Sequence, residues 1–204
     1  MPSIYGLKPK FQSLLRPLSN GLARVGVTAN MVTIGAVLLS FATGFAILYF
    51  RNMRVLLLLP AALFLRMALN AIDGILAREH NQKSALGAIL NELGDVFSDA
   101  ALYLPLATLF PFDAVLTVLI VLLAVVSELT GVVAVQIGAS RRYDGPMGKS
   151  DRAFVFGALG LLLGLQLPIF RVVIPVQWIV LVLLLVTIVN RARGALREIR
   201  GRTS

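Results

Sequence analysis

The stretch that decides the fold runs from Asn70 to Asp95: NAIDGILAR over residues 70–78, eight intervening residues, then GAILNELGD over 87–95. Both segments lie within or at the ends of long apolar runs, yet they carry Asn70, Asp73, Asn91, Glu92 and Asp95, with Arg66 before them and Asp99 after. Ionisable groups at membrane depth are costly and call for a partner, an ion or a substrate. At about 100° per residue, Arg66, Asn70, Asp73 and Ala77 share one helix face, and Gly87, Asn91, Gly94, Asp95 and Ser98 share a face of the next helix. The short loop between them predicts an antiparallel hairpin that brings the two faces together. The result is an oxygen-rich cluster among small residues, and carboxylate and amide oxygens suit Mg²⁺ or Mn²⁺. Simple helix packing by small residues and amides accounts for Gly87, Gly94 and Asn70. It does not account for the aspartates.

The rest of the chain agrees with membrane placement. Of 204 residues, 58% are hydrophobic and 14% charged, against about 25% charged in a soluble domain. The mean hydropathy is +0.87. With no cysteine and only His80, a disulfide scaffold, a thiol nucleophile and His- or Cys-rich metal sites are excluded. The net charge of +9 points to basic loops facing anionic lipid rather than to nucleic acid. At about 20 residues per span, six spans are expected: 30–50, 55–78, 85–110, 112–140, 152–170 and 172–192. No cleavable signal peptide is expected. Phe11, Leu14, Leu15, Leu18 and Leu22 recur at helical spacing among Lys8, Lys10, Arg16 and Arg24, the pattern of a helix lying in the membrane interface. The expected fold is therefore all-α. It comprises an amphipathic interfacial segment (1–28), a six-transmembrane-helix domain (29–195) and a basic tail (196–204). Fifteen Lys and Arg fall on the side of the two termini, against Arg51, Arg54 and Arg171 on the other, which predicts both termini in the cytoplasm.

Residues 70–95 resemble the signature of the CDP-alcohol phosphotransferase family, D-x2-D-G-x2-A-R-x8-G-x3-D-x3-D, with matching spacing at every fixed position. Thr28-Ala-Asn30-Met-Val-Thr33 resembles the T-P-N-x-x-T stretch common in such enzymes. The resemblance implies metal ligands at Asn70, Asp73, Asn91 and Asp95, with Asp95 also the general base on the acceptor hydroxyl. It implies donor contacts from Asn30, Thr33, Gly74, Ala77, Arg78 and Gly87. It further implies transfer of a phosphatidyl group from a CDP-linked donor, CDP-diacylglycerol by similarity to bacterial members, to an alcohol acceptor with release of CMP. Mg²⁺ or Mn²⁺ is the implied cofactor, as one or two ions, in a homodimer of the bacterial inner membrane with its active site toward the cytoplasm. Asn70 and Asn91 depart from the pattern, where aspartates are usual. Two negative charges are thereby missing, and a second divalent ion is expected to bind less tightly.

A second constellation, Arg141, Arg142, Lys149 and Arg152, flanks Gly145-Pro146-Met147-Gly148. Glycines and basic residues at a helix start can hold an anion, so these residues are candidate acceptor contacts. Ordinary positive-inside loop charge is the alternative. Two other functions stay open at the sequence level: a CDP-lipid-binding protein weakened in catalysis, and a small transporter.

Overall fold

The computed structural model describes residues 7–203, and every regular element among them is helical. Residues 1–6 of the expected interfacial segment, the side chains of Lys8 and Lys10, and Ser204 lie outside the described residues. The elements are α1 (Leu7–Arg24), α2 (Ala29–Phe50), α3 (Leu58–Glu79), α4 (Ala85–Tyr103), α5 (Ala114–Gln136), α6 (Lys149–Gly164) and α7 (Phe170–Thr203). Short 3₁₀ turns at Met53–Leu57 and Leu104–Thr108 precede α3 and follow α4. The chain forms two compact units, 1–42 with 61–98, and 43–60 with 99–204.

In the first unit, α1 is an amphipathic helix used on two sides. Leu15 and Leu22 pack on a core of Ala29, Val32, Ile72 and Leu76. Phe11 meets Phe64 edge-on at 6.3 Å. Leu14 and Leu18, from the same apolar stripe, are exposed. Polar contacts at the helix rim, Arg16 to Glu79 at 3.2 Å and Asn20 to His80 at 2.9 Å, tie α1 to the end of α3. The chain turns into α2 at Gly26, whose φ of +83° suits a residue without Cβ. The Thr28 hydroxyl then caps α2 by accepting the Met31 amide.

In the second unit α6 lies against the 3₁₀ turn and the start of α3. A Cβ on Gly160 would come within 3.1 Å of the Leu56 carbonyl, and one on Gly164 within 2.7 Å of Leu57. Tyr103 stacks on Phe156 at 4.5 Å. Asp113 caps α5 through the Leu116 amide. Gln177 of α7, fully buried, accepts the Asp113 amide and donates to Thr117.

Six spans are expected from hydropathy, and four helical segments are long and apolar enough to cross a membrane on that basis alone: Ala29–Phe50, Met53–Glu79, Ala114–Gln136 and Phe170–Arg202. The other two expected spans depart for a physical reason. Helix α4 holds Glu92, Asp95 and Asp99 within 19 residues. Helix α6 has 16 residues and opens on Lys149, Asp151 and Arg152. Both helices turn polar groups inward: Ser98, Asp99 and Arg152 are buried, while Leu86, Ile89, Leu93 and Phe97 of α4 and Phe154 and Leu161 of α6 are exposed. Boundaries also shift. The expected 85–110 span ends as α-helix at Tyr103, and α7 runs on as one helix past residue 192 through the basic tail.

Candidate functional site

The hairpin of α3 and α4 assembles the motif side chains in the first unit. Asp95 is the centre. Its Oδ1 accepts from Asn70 Nδ2 at 3.1 Å and from Arg66 Nη2 at 3.2 Å. The same Arg66 nitrogen donates to the Asp95 carbonyl at 3.1 Å. Arg66 and Asn70 stand one turn apart on α3, so one face of that helix grips one residue of α4. Asp73, one turn further along, is buried and its Oδ2 accepts the Thr33 hydroxyl at 2.9 Å. A narrow polar crevice is lined by Thr33, Asn70, Asn91, Gly94, Asp95 and Ser98.

The stretch from Thr28 to Thr33 thus has a division of labour. Thr28 caps α2, Thr33 bonds Asp73, and Asn30 reaches α4. A Cβ on Gly87 would meet Asn30 Oδ1 at 2.8 Å and Ser84 Oγ at 3.0 Å, so the glycine makes room for the asparagine. Gly74 makes room for Arg78, whose guanidinium nitrogens would lie 3.0 and 3.2 Å from an added Cβ. Ala77 is half-buried and Arg78 exposed. Gln82 was absent from the sequence expectations; its side-chain oxygen accepts the Ala29 amide at 2.7 Å and closes the 80–84 loop onto the start of α2. Its only signal in the sequence is an amide in the short loop between α3 and α4.

The donor set fits a hard divalent cation. The carboxylates of Asp73 and Asp95 and the amide oxygens of Asn70 and Asn91 are the ligand types Mg²⁺ and Mn²⁺ take. No group of three or more His, Cys, Asp or Glu suited to a metal occurs among the described residues, as expected of a set in which two members are asparagine. Asp99 does not enlarge it. Its Oδ2 accepts from Arg152 Nη2 at 2.7 Å and Nε at 3.0 Å.

That pair begins a buried ion network in the second unit. Arg152 is 1% exposed and also donates to Glu128 Oε1 at 3.2 Å. Arg191 approaches Glu128 Oε2 at 3.2 Å and donates to the Ser127 carbonyl at 2.6 Å. Arg141 pairs with Glu128 at 3.4 Å and lies over the Tyr143 ring. The four candidate acceptor contacts therefore have different surroundings. Arg152 is held inside by two carboxylates. Arg142 is gripped by Asp144 at 2.7 and 2.8 Å and by Glu198 at 3.0 Å. Lys149 is half-buried at the first residue of α6. The amide at the α6 cap is taken by the chain itself, Gly148 N donating to Asp151 at 2.9 Å. A cleft of about 590 Å³ beside Arg142 is lined by Asn190, Arg193 and Arg197, residues the sequence placed in the tail and its approach.

Gly145 holds this loop against α7. Its φ is +119°, and a Cβ there would lie 2.6 Å from the Thr187 Cα. The neighbouring Met147 amide donates to Thr187 Oγ1 at 2.9 Å. Gly145→Ala is expected to cost about 1–3 kcal/mol from backbone strain, and more from the clash, read as a lowered Tm in detergent.

The Arg142 guanidinium, by hydrogen bond first and charge second, holds the Asp144 carboxyl below the usual carboxylate range. A lowered folded pKa contributes stability that is present above the unfolded pKa and lost as pH falls through the folded one. The Arg142–Asp144 brace is thus expected to persist through the ordinary aspartate range and open only in stronger acid. Hydrogen exchange over residues 141–147 checks this; protection already lost above about pH 5, where an unperturbed aspartate is still ionised, would contradict it.

Comparison with known proteins follows this geometry. The chain is 47% identical over 195 residues to the inner membrane protein YnbA of Escherichia coli strain K12, covering 95% of this chain and 96% of the relative. An uncharacterized protein of Aquifex aeolicus strain VF5 is 38% identical over 94 residues, 46% of each chain. Among solved structures, the Mycobacterium tuberculosis phosphatidylinositol phosphate synthase PgsA1 with CDP-DAG bound superposes with a TM-score of 0.73 at 23% identity, over 88% of this chain and 92% of that one. The same enzyme with manganese and citrate also gives 0.73 at 23% identity, over 88% and 87%. These superpositions establish a shared fold. The family model described as CDP-alcohol phosphatidyltransferase matches residues 26–189, a span that takes in the whole α3–α4 hairpin, and the chain belongs to that family.

Proposed function

We propose that this protein transfers a phosphatidyl group from CDP-diacylglycerol to an alcohol and releases CMP. The observation that carries the reading is the convergence of Thr33, Asn70, Asn91 and Asp95 on one crevice, in a chain of the phosphatidyltransferase family. A divalent cation held by Asp73, Asp95 and the amide oxygens of Asn70 and Asn91 supplies positive charge against the donor pyrophosphate. Asp95 accepts the proton of the acceptor hydroxyl as its oxygen bonds to the phosphatidyl phosphorus. The bond from that phosphorus to the bridging oxygen breaks, and CMP leaves with the electron pair. Arg66 and Asn70, both bonded to Asp95 Oδ1, keep the base in one orientation. Asn30, Thr33, Gly74, Ala77, Arg78 and Gly87 contact the donor.

The same reading gives α4 and α6 the status of spans, six in all, with polar faces turned inward and apolar faces toward lipid. Helix α1 lies in the interface with Leu14 and Leu18 toward the acyl chains. Both termini and the site face the cytoplasm, in a dimeric inner-membrane protein. An anionic acceptor is recognised at the basic loop. Lys149→Ala is expected to raise KM for such an acceptor more than for CDP-diacylglycerol, because the donor pyrophosphate is assigned to the metal site. Steady-state kinetics against both substrates checks this, and equal effects on both would remove Lys149 from the acceptor site.

The deciding experiment incubates purified protein with CDP-diacylglycerol, Mg²⁺ or Mn²⁺ and a panel of alcohols, with CMP quantified and lipid products identified by mass spectrometry. Metal-dependent CMP release is the expected result. One observation favours a second reading. Asn70 and Arg66 both bond to Asp95 Oδ1, so the carboxylate has partners without a metal, as a CDP-lipid-binding protein weakened in turnover would allow. Binding of a cytidine nucleotide with no release would select that reading.

A further inference from the structure

The strongest feature left over is the charge of Arg66. A guanidinium is charged at every physiological pH, and this one is 5% exposed on a helix apolar enough to span a membrane. Such a group needs an anion beside it. Asp95 is such an anion, reached both at its carboxylate and at its carbonyl. Asp95 is also the residue assigned as metal ligand and base. The site therefore contains a fixed cation of the protein's own, whose charge, beyond its hold on the orientation of Asp95, the chemistry of the preceding section does not use.

Charge counting shows what that cation does. Asp73 and Asp95 contribute −2 and Arg66 +1, while Asn70 and Asn91 contribute nothing. The sum is −1. One divalent ion brings the group to +1, and two would bring it to +3. Excess charge of that size is poorly tolerated away from water, where like charges interact several-fold more strongly than in solvent. Arg66 and Asn70 also both donate to Asp95 Oδ1, and lone pairs directed to N–H groups are not available to a second ion.

We propose that Arg66 is a resident cation of the site: it positions Asp95 and occupies the place in the charge balance that a second divalent ion would take, so the free chain binds one divalent cation. The proposal rests on the metal-site reading above. A positioning role through Asp95 also predicts that charge, more than shape, is what residue 66 must supply.

The test is a Mn²⁺ titration of the full-length protein in detergent, followed by electron paramagnetic resonance, with no CDP ligand present. Wild type is expected to bind one Mn²⁺ per chain. Arg66→Gln is expected to tighten Mn²⁺ binding about tenfold or more, by removal of one positive charge near the ion. Arg66→Lys, which keeps the charge, should stay close to wild type. A merely structural role would lower the folded fraction without changing the affinity of the folded protein. Two tightly bound ions in wild type, no bound ion in wild type, or an unchanged affinity in folded Arg66→Gln would each overturn the proposal. Should Arg66→Gln not fold, a wild-type stoichiometry of two or of none still overturns the proposal, and Arg66→Lys against wild type still tests whether charge is what residue 66 supplies. CMP release measured on the same preparations separates the two claims. Metal-dependent release with unchanged affinity in Arg66→Gln removes only the role of Arg66. One bound Mn²⁺ with the expected affinity shift and no release removes only the transferase reading.

Discussion

Asp95→Asn is expected to leave a folded protein that releases CMP about 10²–10⁴-fold more slowly, the range for loss of a general base. The asparagine is the informative change because it keeps an oxygen where Oδ1 stood. Arg66 and Asn70, which donate to that oxygen at 3.2 and 3.1 Å, then retain an acceptor. Asp95→Ala removes the acceptor as well. It takes the carboxylate from the buried Arg66 guanidinium and is expected to lower stability by about 3–5 kcal/mol, the cost of breaking a buried pair from one side. Comparing the two separates chemistry from folding. Measured CMP release per folded molecule, with folding read from a thermal melt, gives the answer. Turnover near wild type in Asp95→Asn would remove this residue as the base.

Arg152→Met is expected to be the most destabilising single change in the second unit, again by about 3–5 kcal/mol. Arg152 is 1% exposed and serves two acids, Asp99 at 2.7 Å and Glu128 at 3.2 Å. Methionine fills similar volume but leaves Asp99 without its bidentate partner in the interior. Arg191 and Arg141 still face Glu128, so the loss falls mainly on Asp99. The double variant Arg152→Met/Asp99→Leu should recover much of the loss, because an apolar pair of like size often replaces a buried ion pair at little cost. Arg16→Ala is the contrast. Its pair with Glu79 is about half exposed on both sides, and a change of at most about 1 kcal/mol is expected. Thermal unfolding in one detergent ranks the four proteins. Equal melting temperatures for Arg152→Met and wild type would show that the network does not hold the fold.

Both predictions depend on partners that helical periodicity does not supply. The period of 3.6 residues places Arg66, Asn70 and Asp73 on one face of α3, and Asn91 and Asp95 on one face of α4. It leaves open which cation meets which carboxylate. Asp99 stands one turn beyond Asp95 on the same helix, yet it bonds to Arg152, 53 residues away. Glu128 gathers three arginines, two of them from the 141–152 stretch. Arg191 is one of the fifteen basic residues counted on the side of the termini, although it falls on the stripe Val173, Gln177, Val180, Leu184, Thr187, Arg191 and Ala195, all buried. Periodicity alone would have marked it as inward-facing. A count of basic residues for membrane sidedness ignores that information.

The amino-acid sequence by itself determined the class of molecule, an all-helical membrane protein, because 58% hydrophobic residues in runs of span length have no other stable arrangement in water or lipid. It determined the spacing that identifies the phosphatidyltransferase family, since those positions are neighbours along two consecutive helices. It also determined that polar groups at those positions must face inward, because lipid solvates no carboxylate. Tertiary structure alone decided the pairing: Arg66 on Asp95, Thr33 on Asp73, Arg152 on Asp99 and Glu128, Gln82 on the start of α2. The reason is physical. A helix face follows from local geometry within a few residues. The partner of a buried charge follows from which helices pack side by side and in what register, and that is set by the apolar and glycine contacts of the whole unit.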